Sequence, residues 1–174
     1  MNKHIIKQRK IDAHEQKMRY IATQALNDLF YEHLLTVQQT PIRCHVDVCF
    51  TADSHTYDVE VKTRNKDIKS SPYVELKHSK LQNMKKDHDN DTLIYMVIVN
   101  KKDAYFFNLS KMDWKKVKSF NWKIKKIEYL EDSEYEVVPA YKIPLELACY
   151  QLNIEEYFTK YAILEQTKKS KSVS

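Results

Sequence analysis

An α/β fold, with a mixed sheet flanked by helices, is predicted by three observations along this 174-residue chain. An apolar stripe at helical spacing occupies the N-terminal region. Two alternating strands interrupted by charges follow it, close enough to form an antiparallel hairpin. Farther on, "TLIYMVIVN" is a continuous apolar run of strand length, as expected for a strand covered on both faces.

Residues 12–37 read as the first helix. Met18, Ala22, Ala25, Leu29 and Leu34 trace a stripe that Ile21 and Leu26 widen, so one face should be buried. Ile11, Asp12 and Glu15 have the order of a hydrophobic staple and capping box, which would start the helix here and give Glu15 the Asp12 amide as its partner. Glu15 also ends the inward stripe, where a carboxylate can meet a polar pocket instead. Pro41 separates this helix from the first strand.

Over 42–50, Ile42, Cys44, Val46, Val48 and Phe50 share one strand face, and Arg43, His45, Asp47 and Cys49 the other. "TADSHT" supplies a polar turn. On the return, Tyr57, Val59, Val61 and Thr63 oppose Asp58, Glu60 and Lys62. Pairing Phe50 with Tyr57 also pairs Asp47 with Glu60, with Cβ atoms about 4.5–5.5 Å apart. Lys62 lies two residues farther along that face.

An extended piece over 73–76 and a helix over 78–88, with Leu81 and Met84 inward, lead to the buried strand at 92–100. "NKKD" turns the chain into another strand, "AYFFNLS". Trp114 and Trp122 are expected to pack residues 115–122 on the sheet, and 124–130 reads as an edge strand or surface element. Pro139 and Pro144 bracket a turn. Helical tendency returns over 145–164, before a frayed basic tail, "QTKKSKSVS". Residues 1–144 thus form the main domain and 145–174 a C-terminal helical extension with that tail.

Composition narrows the function. Apolar residues make up 43% of the chain, enough for a core, and 29 Lys and Arg against 24 Asp and Glu leave a charge of +5. That balance permits a polyanionic partner, and its distribution favours one: residues 62–118 hold 14 basic residues against 7 acids. Glycine is absent, which excludes glycine-dependent phosphate loops and the dinucleotide-binding fingerprint. Cys44, Cys49 and Cys149 form no paired metal motif, and a reduced cytoplasmic setting is expected. No apolar run approaches a membrane span, so no membrane partner is expected.

Asp47 and Glu60 are hard oxygen ligands suited to Mg²⁺ or Mn²⁺, with the Val61 carbonyl as a third donor. Lys62 would hold a phosphate, offset developing charge or orient the attacking water. Such a set suits in-line hydrolysis of a phosphodiester. Taken alone, "DVEVKTR" also fits a solvated strand face; Asp47 at the aligned position moves the balance toward a site.

In their order, Glu15, Asp47 and "Glu60-Val61-Lys62" resemble the PD-(D/E)xK nuclease superfamily, especially its compact Holliday-junction-resolvase-like branch. The resemblance covers residues 12–109. It implies a restriction-endonuclease-like sheet with an antiparallel catalytic hairpin, and a Mg²⁺- or Mn²⁺-dependent endonuclease acting on DNA in recombination, repair, restriction or mobile-element processing. It implies Glu15 as the acid of the first helix, Asp47 and Glu60 as metal ligands, and Lys62 as the active-site lysine. Lys80 or Gln82 would reach the phosphate region. Asp47 lacks the preceding proline, a variable position in the superfamily.

Arg64, Lys66 and Lys69 after the hairpin are candidate contacts to the DNA backbone, which position a protein without specifying bases. His45 shares the Asp47 face but is better explained as a hydrogen-bonded structural histidine. Tyr57, Tyr73, Trp114 and Trp122 fit core packing before base stacking. Two other functions compete. One is a catalytically inactive nuclease fold that binds nucleic acid, and the other is an anti-restriction or assembly protein that binds through an exposed C-terminal helix. A homodimer would suit a symmetric junction.

Overall fold

The computed structural model describes residues 3–30, 34–40, 46–52, 55–65, 71–87, 92–125 and 134–171. Helix α1 (Lys3–Leu29) precedes β1 (Leu34–Gln39), β2 (Val48–Ala52) and β3 (His55–Arg64). Next come β4 (Tyr73–Lys77), α2 (His78–Asp87), β5 (Thr92–Val99) and β6 (Asp103–Asn108). The chain closes with β7 (Lys118–Lys125), β8 (Tyr135–Pro144), β9 (Tyr150–Asn153) and α3 (Glu155–Lys171).

Six strands form the main sheet in the order β1-β2-β3-β5-β6-β9. Only β3 and β5 run parallel, and the crossover between them carries β4 and α2. A second, antiparallel sheet has the order β4-β8-β7. The main sheet buries both faces, which explains the unbroken apolar run of β5. Ile94, Met96 and Ile98 face the stripe of α1 (Met18, Ile21, Ala22, Ala25 and Leu26) together with Ile154 and Tyr157. Leu93, Tyr95, Val97 and Val99 pack with Leu81 and Met84 of α2 and with Val74, Leu76 and Ile143 of the second sheet. This is the expected α/β class: a mixed sheet flanked by helices, consistent with a restriction-endonuclease-like arrangement.

Several local expectations are corrected. Helix α1 is continuous from Lys3, so Ile11, Asp12 and Glu15 lie within it and form no capping box. It also stops at Leu29, and Leu34 belongs to β1, which pairs with β2; the β-branched Thr36 and Val37 favour that choice. The hairpin is tighter than "TADSHT" implies, because strand pairing continues to Ala52 opposite His55. From Val48 to Ala52 the register is the expected one, with Phe50 opposite Tyr57; before Val48 it is not, since Val46 packs in the cluster with α2 while Val48 and Phe50 face α1. Residues 41–45, with Cys44 and His45, lie outside the described residues.

Pro139 and Pro144 do not bracket a turn; both lie in β8. β4 pairs with β8 only as far as Ala140, so Pro139 falls where β8 is an edge on that side and a missing N–H is tolerated. Residues 145–164 are not one helix. Leu145–Leu147 form a 3₁₀ turn, and β9 then pairs with β6. The Asn153 side chain accepts from the Glu155 amide at 3.1 Å, starting α3. The expected tail is helical up to Lys171.

A chain without glycine must still make a tight β5–β6 turn. Asn100 and Lys101 adopt φ of 51° and 58°, and the Lys102 amide donates to the Val99 carbonyl at 3.0 Å. Two successive positive φ values match the twist of the flanking strands. Asn100 suits that conformation; Lys101 adopts it at a cost.

Candidate active site

Asp47 and Glu60 come together because the β2–β3 register does. Val48 pairs with Val59, and Asp47, one step before β2, lies close enough to Glu60 for the two carboxyls to interact directly. The Asp47 amide donates to the Val59 carbonyl at 2.8 Å, so Asp47 and Val48 both face Val59 and the ladder bulges at the strand end. Asp47 Oδ2 then accepts the Val61 amide at 2.8 Å. In a strand, the N–H and C=O of one residue point to the same side, so the Val61 carbonyl also opens toward Asp47.

Each acid has a cation. Arg19 of α1 reaches Asp47 Oδ1 with NH2 at 2.9 Å, the two side chains being 4% and 17% exposed. Its NH1 donates to the Thr40 carbonyl and lies 3.2 Å from the Thr40 hydroxyl, which itself donates to the Val46 carbonyl. Arg19 therefore ties α1 to the chain on both sides of the 41–45 segment. Lys80 of α2 places Nζ 2.7 Å from Glu60 Oε2.

The two pairs differ energetically. Burial, reinforced by the Asp47 carboxylate close enough to share a hydrogen bond, pushes the Glu60 carboxyl from 4.5 up to about 8, with Lys80 opposing. A contact of 2.7 Å to an ammonium argues for an ionised acid, while burial argues for a neutral one. Desolvation and the neighbouring carboxylate outweigh the single half-exposed ammonium, so Glu60 holds a proton at neutral pH. Beside it in register on β5, Tyr95 is buried; its hydroxyl donates to the Glu75 carbonyl at 2.8 Å, and burial raises its phenol well above the usual range. Asp58, also fully buried, lies two residues before Glu60 on β3.

The other candidates fall in several places. Lys62 is exposed, two residues beyond Glu60 on the same face. Gln82 is exposed on α2. Glu15 is half-buried on α1, but among the described residues no three His, Cys, Asp or Glu side chains gather as a metal-ligand group, so it does not complete a set with Asp47 and Glu60. Arg19, one helical turn later, reaches Asp47 instead.

Arg64 is turned inward rather than toward a ligand in solvent. It is 8% exposed, and its NH1 donates to the Tyr73 carbonyl, joining the end of β3 to the start of β4. Lys66 and Lys69 lie outside the described residues. Arg19 and Tyr95 were not among the residues expected from sequence. Arg19 left one signal, a charge between Met18 and Ala22 on the inward stripe of α1.

No family model matches the chain, and no curated protein matches it. Among solved structures, the chain is similar to a Holliday junction resolvase from Archaeoglobus fulgidus, Hjc, at 14% sequence identity and a TM-score of 0.41. The likeness covers 76% of this chain and 96% of that one.

Proposed function

We propose that the protein hydrolyses DNA phosphodiester bonds as a Mg²⁺- or Mn²⁺-dependent endonuclease, with Asp47, Glu60 and Lys62 at its centre. The observation that carries this is the convergence of two carboxylates from adjacent strands, one of them buried enough to take up a proton. Two acids so placed repel one another, and a divalent cation relieves both that repulsion and the burial cost. The donors present fit such an ion as part of its shell: Asp47, Glu60 and the Val61 carbonyl, all hard oxygens. When bound, the ion would supply Lewis-acid polarisation of the phosphate and a lowered pKa for water.

The remaining chemistry belongs to the chain. Arg19 and the Val61 amide hold the two Asp47 oxygens from opposite sides and fix the carboxylate before a ligand arrives. Lys62 is exposed on the Glu60 face and can take a phosphate oxygen from solvent without leaving a partner buried. Lys80, 2.7 Å from Glu60 on α2, would offer its ammonium to the substrate phosphate. The basic residues of α2, Lys85 and Lys86, extend the positive field toward the DNA backbone.

The test is cleavage of linear, nicked, flap and four-way-junction DNA in EDTA, Mg²⁺ or Mn²⁺, with Asp47→Ala and Lys62→Ala alongside the wild type. Cation-dependent cutting, lost in both folded variants, is expected. Equal activity in EDTA and in both variants defeats the assignment. One observation favours a second function, a nuclease fold that binds DNA without cutting it: Asp47 is already paired with Arg19, and Lys80 already occupies Glu60. Such a protein would bind the same DNAs with unchanged affinity in EDTA and never nick them.

A further inference from the structure

The second sheet has one face that joins neither of the two core clusters, although Ala140 and Ile124 on it are buried. Val74, Leu76 and Ile143 point into the core between the sheets. Strand alternation therefore turns Tyr73 and Lys77 of β4 outward, and the register places Lys142 of β8 and Lys118, Phe120 and Trp122 of β7 on that same outer face. Phe120, Trp122 and Tyr73 are half-buried, and none joins either hydrophobic core. Their rings lie along the sheet with lysines among them. Lys142 Nζ sits 4.7 Å from the ring centres of both Tyr73 and Phe120, and Phe120 and Trp122 are 6.5 Å apart.

An outer sheet face serving only solubility needs charge and threonine-like polarity, not three large rings. Rings spaced over a sheet face with cations between them suit a chain that alternates planar bases with negative phosphates. Duplex DNA hides its base faces, so the rings have a use only where a strand is unpaired. The face carries two acids among the described residues: Glu136 lies beyond Trp122, and Glu75 sits opposite Lys142 in the row between Tyr73 and Phe120, where Lys142 and Lys118 outnumber it.

This face is also joined to the candidate active site. β4 ends at Lys77, and Lys80, one helical turn on, is the residue on Glu60. At its other end, the Tyr73 carbonyl accepts from Arg64, two residues past Lys62 on β3.

We propose that the outer face of β4-β8-β7 binds an unpaired DNA strand, stacking bases on Tyr73, Phe120 and Trp122 with Lys118 and Lys142 on the phosphates. The proposal deepens the nuclease assignment by naming a substrate with a single-stranded portion, but its test does not need cleavage. Binding of a labelled oligo-dT and of a duplex of equal length is measured by fluorescence anisotropy in EDTA, using the full chain. Phe120→Leu and Trp122→Leu keep an apolar cover and remove a ring, and each should weaken oligo-dT binding about tenfold while changing duplex binding less than about twofold. Phe120→Tyr should retain wild-type affinity. Lys142→Gln should flatten the salt dependence of oligo-dT binding.

Unchanged oligo-dT affinity in both leucine variants overturns the proposal, as does an equal loss for duplex. Should either variant unfold, crosslinking of 5-iodouracil-substituted oligo-dT to the wild type decides. Crosslinks at Tyr73, Phe120 or Trp122 support the platform, and crosslinks confined elsewhere overturn it. A protein that binds oligo-dT in this way yet cuts no DNA keeps the platform and loses the nuclease assignment.

Discussion

Replacing Glu60 by Gln should make the protein more stable at alkaline pH and leave it nearly unchanged in acid. The carboxyl stands at 4.5 in the unfolded chain and about 8 in the folded one, raised first by burial and then by Asp47. Between those values the folded state binds a proton that the unfolded state has released. Folding stability therefore falls as pH rises through that window, and levels off above it. At about 1.4 kcal/mol for each tenfold change in proton concentration, the loss is on the order of 3–5 kcal/mol. Gln keeps the shape and accepts a hydrogen bond from Lys80 but carries no ionisable proton, so the variant escapes the loss.

Urea unfolding at several pH values from 5 to 9, for wild type and Glu60→Gln, reads the difference between the two curves and cancels every other titrating group. The curves should meet near pH 5 and separate by pH 8. Adding Mg²⁺ at pH 8 should raise the wild type toward the variant, since a ligand that binds only the folded state stabilises it by mass action. Parallel curves, or a wild type that gains on the variant as pH rises, would refute the reasoning. The latter would mean that the Lys80 contact at 2.7 Å keeps the acid ionised after all.

Arg19→Ala leaves Asp47 without its guanidinium in a largely dry place and should cost about 3–5 kcal/mol in urea unfolding; a loss below about 1 kcal/mol would mark the pair as solvent-screened. Lys101→Gly relieves a left-handed residue and should stabilise by about 1 kcal/mol, read as a rise in melting temperature. Tyr157→Phe removes the hydroxyl that donates to Asp28 Oδ2 at 2.6 Å between α3 and α1. It should cost about 1–2 kcal/mol and speed amide exchange in α3 more than in β5.

The hairpin was legible because its register is set by what must be buried. Val48, Phe50 and Ala52 can face α1 in only one alignment with Val59 and Tyr57, and a slip of one residue would turn all of them to the other face. Fixing that alignment fixes Asp47 against Glu60. β5 was legible for a related reason, since a strand covered on both faces cannot afford polar residues. The second sheet was not. Its strand β8 faces the core only at its end, through Tyr141 and Ile143, and β7 adds no residue to either core cluster, so apolar alternation is blurred, and β4 finds its partner β8 far along the chain. Pro139 does not mark a turn because β8 has an open side there, which only the long-range pairing with β4 reveals.

Arg19 shows what a stricter physical reading of α1 would have yielded. Met18, Arg19, Ala22, Ala25 and Leu26 are all buried, with Ala22 three or four residues from each of the others, as one helix face requires. A guanidinium cannot lose its charge, so one placed within that stripe demands a buried acid across from it. The nearest element bearing one is the β2–β3 hairpin, and Asp47 stands at its open end. That demand also separates the roles of the two acids. Asp47 is held on one oxygen by the Arg19 guanidinium and on the other by the Val61 amide, so it is fixed in place before any ligand binds. Glu60 has only a half-exposed lysine, and burial wins there. The site thus contains one fixed carboxylate and one whose charge waits on a further cation, which is why divalent binding to it should release about one proton near pH 7 and why Asp47→Asn should disrupt the fold more than Glu60→Gln.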